Sequence, residues 1–226
     1  MKKSLAKWHI HAVSALSVLF VLFSVGAAGF IKIAREVSER ETKGFDESIL
    51  KALHAIASPV LDTLVVATTD LGGWMVIIWG GLIFTWLVMK KKWYKAIIIG
   101  AGLGGAEVLN LILKALFARP RPELWERLIV EQSFSFPSGH AMASSALAFT
   151  VILILWRTKW RIPGLIGMLS SMVYIGFTRL YLGVHYPTDI VAGWLVSGAW
   201  VSLVGFVVAY YARRTNTVTQ SHSHDS

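Results

Sequence analysis

Three short polar segments, separated by roughly twenty and forty residues, carry side chains that could act on a phosphate group. They contain Lys114 and Arg121, then Ser138, Gly139 and His140, and finally Arg179, His185 and Asp189. Lysine and arginine bind phosphate oxygens, histidine can attack phosphorus or move protons, and a carboxylate can orient a histidine. These residue types together indicate phosphoryl transfer.

The first segment places a proline-rich turn directly after a basic helix end. In Arg119-Pro120-Arg121-Pro122, each proline disfavours the helical conformation in the residue before it, so the helix carrying Lys114 should end here. Two guanidinium groups then lie near the ammonium group. We interpret Lys114 and Arg121 as an anion clamp and Arg119 as part of a solvated basic rim.

The second segment, Phe136-Pro137-Ser138-Gly139-His140, opens a predicted helix. Glycine at a helix start lets a ligand approach the backbone, where free N–H groups and the helix dipole favour an anion. The alternative is an ordinary Ser-Gly helix start with an interfacial histidine.

The third segment places a histidine next to a helix start. Pro187 suits the first turn of a helix, which puts Asp189 in that turn and His185 just before it. The carboxylate could reach the imidazole and make its other nitrogen more nucleophilic. The alternative is that Asp189 only caps the helix.

The elements that must position these segments are membrane helices. The chain of 226 residues is 55% hydrophobic, with few charges and a mean hydropathy of +0.59. Its long apolar runs predict an all-α polytopic membrane protein with one domain and six transmembrane helices. These lie at about 8–33, 71–89, 93–116, 138–155, 162–177 and 187–211. Within Glu36–Asp70, the stretch Ile49–Val66 predicts one or two short amphipathic helices instead of a seventh span.

The net charge of +9 reflects topology more than a nucleic-acid partner, because twelve basic residues fall in the connections on one side. They are Lys2, Lys3, Lys7, Lys90, Lys91, Lys92, Lys95, Arg157, Lys159, Arg161, Arg213 and Arg214. We therefore predict a multi-pass protein of the inner or plasma membrane with both termini cytoplasmic. The three polar segments then face outward, and 212–226 forms a disordered cytoplasmic tail.

Polar residues also occur within the third predicted span. The spacing of Glu107, Asn110 and Lys114 places them on one helical face that points into the bundle. For Glu107 and Asn110 an interhelical polar contact is as good an interpretation as a functional one. The sequence has no carboxylate cluster suited to Mg²⁺ and no His-x-x-x-His pair for zinc, so we expect neither metal nor cofactor.

At these residues the chain resembles the type 2 phosphatidic acid phosphatase family. That family's pattern is Lys-x₆-Arg-Pro, then Pro-Ser-Gly-His, then Ser-Arg-x₅-His-x₃-Asp. All three motifs occur in this order between Lys114 and Asp189, and only the leading serine of the third is replaced, by Thr178. Among family members, the chain looks most like bacterial enzymes acting on phosphatidylglycerophosphate or undecaprenyl diphosphate.

The resemblance implies a role for each matched residue. His185 would attack phosphorus, oriented by Asp189, and His140 would protonate the leaving oxygen. The phosphate would be held by Lys114, Arg121, Ser138, Gly139 and Arg179. The expected partners are a lipid phosphate and the membrane lipids, with no obligate protein partner.

Other functions remain open from the sequence. The substrate could be another lipid phosphate such as phosphatidate, and vanadate-dependent haloperoxidases share a similar anion pocket. A lipid or anion transporter could also place basic residues at membrane depth, although such proteins are often built on repeats and none is visible here.

Overall fold

A computed structural model of the protein describes the backbone of residues 2–222 and the side chains of residues 15–214. Every regular element in this part of the chain is helical, as predicted. The helices are α1 (Lys2–Ser38), α2 (Lys43–His54), α3 (Pro59–Thr69), α4 (Trp74–Met89), α5 (Trp93–Phe117), α6 (Gly139–Leu155), α7 (Arg161–Tyr181) and α8 (Pro187–His222), with a 3₁₀ turn at Asp70–Gly72.

Four helical stretches in the described chain are long and apolar enough to cross a membrane: Ala15–Ser38, Pro59–Met89, Trp93–Phe117 and Pro187–Arg214. Helix α6 is apolar but shorter. Large apolar side chains such as Ile77 and Leu111 are exposed along these helices, which suits contact with lipid. The chain is therefore a multi-pass membrane protein, while the count of six spans stays a prediction.

The second membrane stretch begins earlier than the sequence indicated. We predicted a span from Leu71 and assigned Ile49–Val66 to one or two short helices packed on the bundle. Helix α2 is such a short helix, but α3 continues through the 3₁₀ turn into α4 as one apolar stretch. The polar residues Asp62 and Asp70 obscured this continuity in the sequence.

Local sequence explains where the helices around the polar segments begin and end. Helix α5 ends at Ala118, which adopts a left-handed conformation (φ 44°) just before Pro120. The Ser138 side chain caps α6 by accepting a hydrogen bond from the Ala141 N–H. Pro187 occupies the first turn of α8, as predicted.

Helix α8 packs against α1, α5 and α6, and small residues allow these helices to approach closely. A Cβ added at Gly102 would lie 2.4 Å from the Thr150 side chain. Ala106 packs with Ala146 and Val201 in a buried cluster. The small-residue face of α5 therefore serves packing within the chain.

The prediction that Glu107 points into the bundle is wrong. The buried stripe of α5 runs through Ala106, Asn110 and Lys114, whereas Glu107 is exposed. Helices that cross at an angle bury a row of residues four apart, and Glu107 lies outside that row.

Helix α8 extends beyond its predicted end at 211, and its backbone stays helical to His222. It therefore covers much of 212–226, for which we predicted disorder. Residues 223–226 lie outside the described residues.

Candidate active site

The ends of four helices bring the three polar segments together. Lys114 lies in the last turn of α5, His140 in the first turn of α6, Arg179 in the last turns of α7 and Asp189 in the first turn of α8. The connection 118–138 packs across these helix ends. The predicted convergence of the segments at one end of the bundle is thus observed.

His185 and Asp189 form a buried pair, with His185 1% exposed and Asp189 fully buried. His185 Nδ1 lies 3.4 Å from Asp189 Oδ2. The same carboxylate oxygen accepts hydrogen bonds from the Ser135 hydroxyl at 2.5 Å and the Tyr186 N–H at 2.8 Å. Asp189 therefore contacts the imidazole ring in addition to its position at a helix start.

The second nitrogen of His185 faces a cation. Arg121 Nη1 lies 3.1 Å from His185 Nε2, and a guanidinium group can only donate hydrogen bonds. We therefore assign a lone pair to Nε2 and the ring proton to Nδ1, next to the carboxylate. Nε2 is the nitrogen that is free to act as a nucleophile.

The surroundings of His185 keep its ring neutral. Burial, and then the positive charges of Arg121, Arg179 and Lys114, hold the pKa of His185 well below its usual value of 6.5. His140 acts in the same direction. A neutral imidazole is the form required for nucleophilic attack.

Lys114 and Arg121 lie side by side, as the anion clamp requires. Both donate to the Ser133 hydroxyl, each at 3.1 Å, and both bond to the Phe134 carbonyl oxygen. Arg121 also donates to the Val184 carbonyl at 2.8 Å. Burial lowers the pKa of Arg121 to about 10, which leaves it charged at neutral pH.

Arg179 completes a group that we call the anion pocket: Lys114, Arg121, Arg179 and the carboxylate of Glu131. Glu131 contacts Arg179 directly and lies 3.5 Å from Arg121. Although burial disfavours its charge, Arg179 and Arg121 hold the pKa of Glu131 below its usual value. Within the described residues, Arg179 Nε is buried without a hydrogen-bond partner, so the pocket can bind a further oxygen.

The Ser138-Gly139 turn is held by a residue of α5. Asn110 donates to the Pro137 carbonyl at 3.2 Å, and a Cβ added at Gly139 would lie 3.1 Å from Asn110 Oδ1. Ser138 is fully buried and caps its own helix. Asn110 therefore has a structural role in positioning the helix start.

His140 extends from this turn toward the 3₁₀ segment. A Cβ added at Gly73 would lie 2.7 Å from His140 Nε2. In the described part of the chain, this nitrogen is buried and has no hydrogen-bond partner. A buried unpaired nitrogen close to His185 is available for proton exchange with a bound group.

Thr178, which replaces the serine of the family pattern, contacts Thr69 through its hydroxyl at 3.1 Å. Thr69 also accepts a hydrogen bond from Arg179 Nη1 at 3.0 Å. The substitution thus retains a hydroxyl that supports the partner of Arg179.

The interpretation of Arg119 as a solvated rim residue is wrong. Its side chain is only 13% exposed and lies between two fully buried carboxylates, 2.6 Å from Asp189 Oδ1 and 2.8 Å from Asp46 Oδ2. Asp46 comes from α2 and also binds Thr188. We call Asp46, Arg119, Thr188 and Asp189 the positioning network.

Sequence reasoning missed several residues of the site. Neither Asp46 nor Glu131 belongs to one of the three motifs, and each meets its partners only through the fold. Ser133 and Ser135 precede the Pro-Ser-Gly-His motif, and their proximity to it was the one available signal.

Comparison with known proteins identifies the family of this chain. Residues 95–215 match the PAP2 superfamily. Phosphatidylglycerophosphatase B of Bacillus subtilis is 32% identical over 178 residues, covering 73% of this chain and 83% of the relative. Undecaprenyl-diphosphatase of Sulfolobus acidocaldarius is 27% identical over 194 residues, covering 84% and 87%.

A solved structure extends this similarity to the fold. The crystal structure of the first transmembrane PAP2-type phosphatidylglycerolphosphate phosphatase from Bacillus subtilis superposes with a TM-score of 0.72 at 25% identity. The match covers 88% of this chain and 96% of that protein. The family resemblance predicted from the motifs is therefore confirmed: the chain belongs to the PAP2 superfamily and is a phosphatase.

Proposed function

We propose that the protein hydrolyses a lipid mono- or diphosphate through a phosphohistidine on His185. The observation that carries this proposal is the orientation of His185, whose Nε2 lone pair faces the anion pocket while Nδ1 faces Asp189. A phosphate held by Lys114, Arg121 and Arg179 would bring phosphorus next to a neutral nitrogen nucleophile.

In the first step, Nε2 of His185 attacks phosphorus, a P–N bond forms and the bond to the leaving oxygen breaks. His140 gives its proton to that oxygen, so the lipid leaves as an alcohol or as a monophosphate. Asp189 stabilises the charge that develops on the imidazole ring. The cations stabilise the charge that develops on the phosphoryl oxygens.

In the second step, water attacks the phosphohistidine and the P–N bond breaks. His140, now unprotonated, takes a proton from the water, and inorganic phosphate is released. His185 and His140 are thereby returned to their starting states. His140→Ala should slow departure of the leaving group most strongly for substrates whose leaving oxygen is a poor leaving group.

The charge of the anion pocket supports a phosphate ligand. Among the described residues, Glu131 supplies the one carboxylate that pairs directly with any of the pocket's three cations, and this excess of positive charge suits a dianion. A bound phosphate would compete with Glu131 for Arg121 and Arg179. The same three cations can stabilise the transition state, so we propose a reaction without a metal.

Phosphatidylglycerophosphate and undecaprenyl diphosphate are the proposed substrates, because the relatives reported above are named for acting on them. Phosphatidate is the next candidate. A surface recess of about 450 Å³ lined by residues 123–127, 129 and 130 could admit a headgroup from the bilayer surface.

We further propose six transmembrane spans, formed by α1, the α3–α4 stretch and α5 to α8, with both termini cytoplasmic and the site facing outward. The distribution of lysine and arginine among the connections supports this orientation. Because the chain has no cysteine, orientation can be measured with single cysteines. Val130→Cys, at a position 89% exposed, should react with an impermeant thiol reagent added to intact cells, whereas Lys159→Cys should react only after lysis.

The function is tested by incubating purified protein in detergent with each of the three lipids, in the presence of EDTA, and measuring inorganic phosphate. We expect phosphate release from at least one lipid that is insensitive to EDTA. Release that requires an added divalent cation would contradict the metal-free mechanism. A protein without any phosphatase activity would contradict the proposed function.

A further inference from the structure

Both terminal nitrogens of Arg119 are held by acceptors, and an aromatic ring covers the guanidinium group. Nη1 donates to Asp189 Oδ1 at 2.6 Å and to the Thr188 hydroxyl at 2.9 Å, while Nη2 donates to Asp46 Oδ2 at 2.8 Å. The Tyr186 ring stacks on its face, 4.0 Å from the guanidinium carbon. Arginine suits such a site because its planar fork binds two acceptors at once.

Asp46 joins this network from a helix outside the three motifs. Its Oδ1 accepts a hydrogen bond from the Thr188 N–H at 3.1 Å, and its Oδ2 accepts one from the Thr188 hydroxyl at 2.8 Å. The Thr188 N–H is one of the free donors at the start of α8. A carboxylate of α2 thus caps the helix turn that carries Asp189.

The charges in this network cannot be explained as surface ion pairs. Asp46 and Asp189 are both fully buried, and one buried guanidinium group lies between them. Removing one partner of such a group leaves uncompensated buried charge, which is costly. Asp189 uses Oδ2 for His185, Ser135 and Tyr186, so Arg119 is the charged partner of its other oxygen.

We propose that Asp46 and Arg119 are positioning residues for the Asp189–His185 pair. Arg119 pairs with Asp189 and fixes its rotation, and Asp46 fixes Arg119 and the start of α8. Neither residue touches the anion pocket, so both act through Asp189 on the nucleophile and not on phosphate binding. This inference rests on the proposed function of His185.

The test compares Arg119→Met, Asp46→Asn and the double variant with two matched controls. Glu47→Gln changes the neighbouring carboxylate of α2, whose ion pairs within the described part of the chain are with Lys43 and Lys51 across 3.7–3.8 Å. Arg35→Met removes an arginine that is 75% exposed. Phosphohistidine formation is measured by rapid quench of reactions in detergent. The substrate is whichever of phosphatidylglycerophosphate, undecaprenyl diphosphate and phosphatidate the wild type turns over fastest.

Arg119→Met should slow phosphohistidine formation about 100-fold, the scale of a misplaced catalytic group. Asp46→Asn should slow it about ten-fold, as expected for one weakened charge-assisted hydrogen bond. The KM and the inhibition constant of inorganic phosphate should stay within about two-fold of wild type, since the anion pocket is intact. Both controls should retain the wild-type rate.

Because Asp46 acts partly through Arg119 and partly through Thr188, the loss in the double variant should be smaller than the two single losses combined. Arg119→Lys should restore part of the rate, because it returns the charge but not the second contact. If Arg119→Met does not fold, the inference is tested with Arg119→Lys and Asp46→Asn, by measuring the same rate of phosphohistidine formation, KM and inhibition constant.

Three results would overturn the inference: wild-type rates in both single variants, additive losses in the double variant, or a rise in KM that accounts for the lost efficiency. Failure of the proposed function is distinguishable from these results. In that case, wild-type protein itself would form no phosphohistidine.

Discussion

The two sides of His185 differ in how their charges are balanced. In the positioning network, one arginine lies between two fully buried carboxylates, and every charged group has a close partner. In the anion pocket, two of the three cations pair with the carboxylate of Glu131, which is 24% exposed, and Arg179 Nε has no partner among the described residues. The charges of the positioning network are balanced, whereas the anion pocket can accept an additional anion.

This difference separates two arginines that lie two positions apart in the chain. Arg119 binds carboxylates and fixes the orientation of Asp189, whereas Arg121 binds carbonyl oxygens, Glu131 and the nucleophile. Residue type alone therefore does not determine the role of a cation in this site. The number and burial of its acidic partners determine that role.

The largest effect should come from His185, where the two sides meet. His185→Ala should reduce turnover by at least about four orders of magnitude, the scale observed when an enzyme loses its nucleophile. The measurement is phosphate release by purified protein in detergent. Thermal unfolding of the variant checks that it is folded, and full activity in a folded His185→Ala protein would contradict the mechanism.

A second change should break the anion pocket and leave the positioning network intact. Arg179→Met removes a cation from the transition state and should lower kcat/KM about 100- to 1,000-fold, as loss of one oxyanion-stabilising donor does. It should also weaken inhibition by inorganic phosphate, unlike Arg119→Met. Equal inhibition constants for inorganic phosphate in these two variants would contradict the distinction between the anion pocket and the positioning network.

Glu131 offers a change that should improve binding. Glu131→Gln removes the negative charge that competes with phosphate, so the inhibition constant of inorganic phosphate should fall about ten-fold, equivalent to about 1.4 kcal/mol. Glu39→Gln, at a glutamate that is 47% exposed and lies outside both the anion pocket and the recess, is the matched control. Weaker phosphate inhibition in Glu131→Gln would mean that Glu131 organises the pocket instead of occupying it.

The smallest effect concerns pH. Because burial and the anion pocket hold the pKa of His185 well below 6.5, the ring stays neutral as pH falls to 6. After correction for ionisation of the substrate and of His140, whose protonated form the first step also requires, kcat/KM should therefore change little between pH 7 and 6. A histidine with an ordinary pKa would lose about three-fold over this range, and such a loss would contradict the assigned environment.

The sequence was sufficient to predict the helical membrane fold and the convergence of the three motifs. Hydrophobic runs identify membrane helices, and Pro187 placed Asp189 correctly in a helix start. The roles of Asp46 and Glu131 could not be predicted, because each is defined by partners distant in the chain. Asp46 lies 2.8 Å from Arg119, yet the two are separated by 73 residues.

Other errors arose where local patterns were ambiguous. Arg119 and Arg121 have the same flanking prolines, so nothing local shows which one meets a buried carboxylate. Glu107 matched the helical spacing of Lys114, but the direction in which α5 crosses its neighbours decides which row is buried. The polar residues between α3 and α4 concealed one continuous apolar stretch.

The central claim is that His185 Nε2 carries the phosphoryl group. The most direct test is to quench wild-type protein during turnover in EDTA, digest it under alkaline conditions and locate the phosphate by mass spectrometry. We predict phosphate on His185, with the acid lability of a P–N bond, and none in His185→Ala. Phosphate on another residue, or turnover without any phosphoenzyme, would contradict the mechanism.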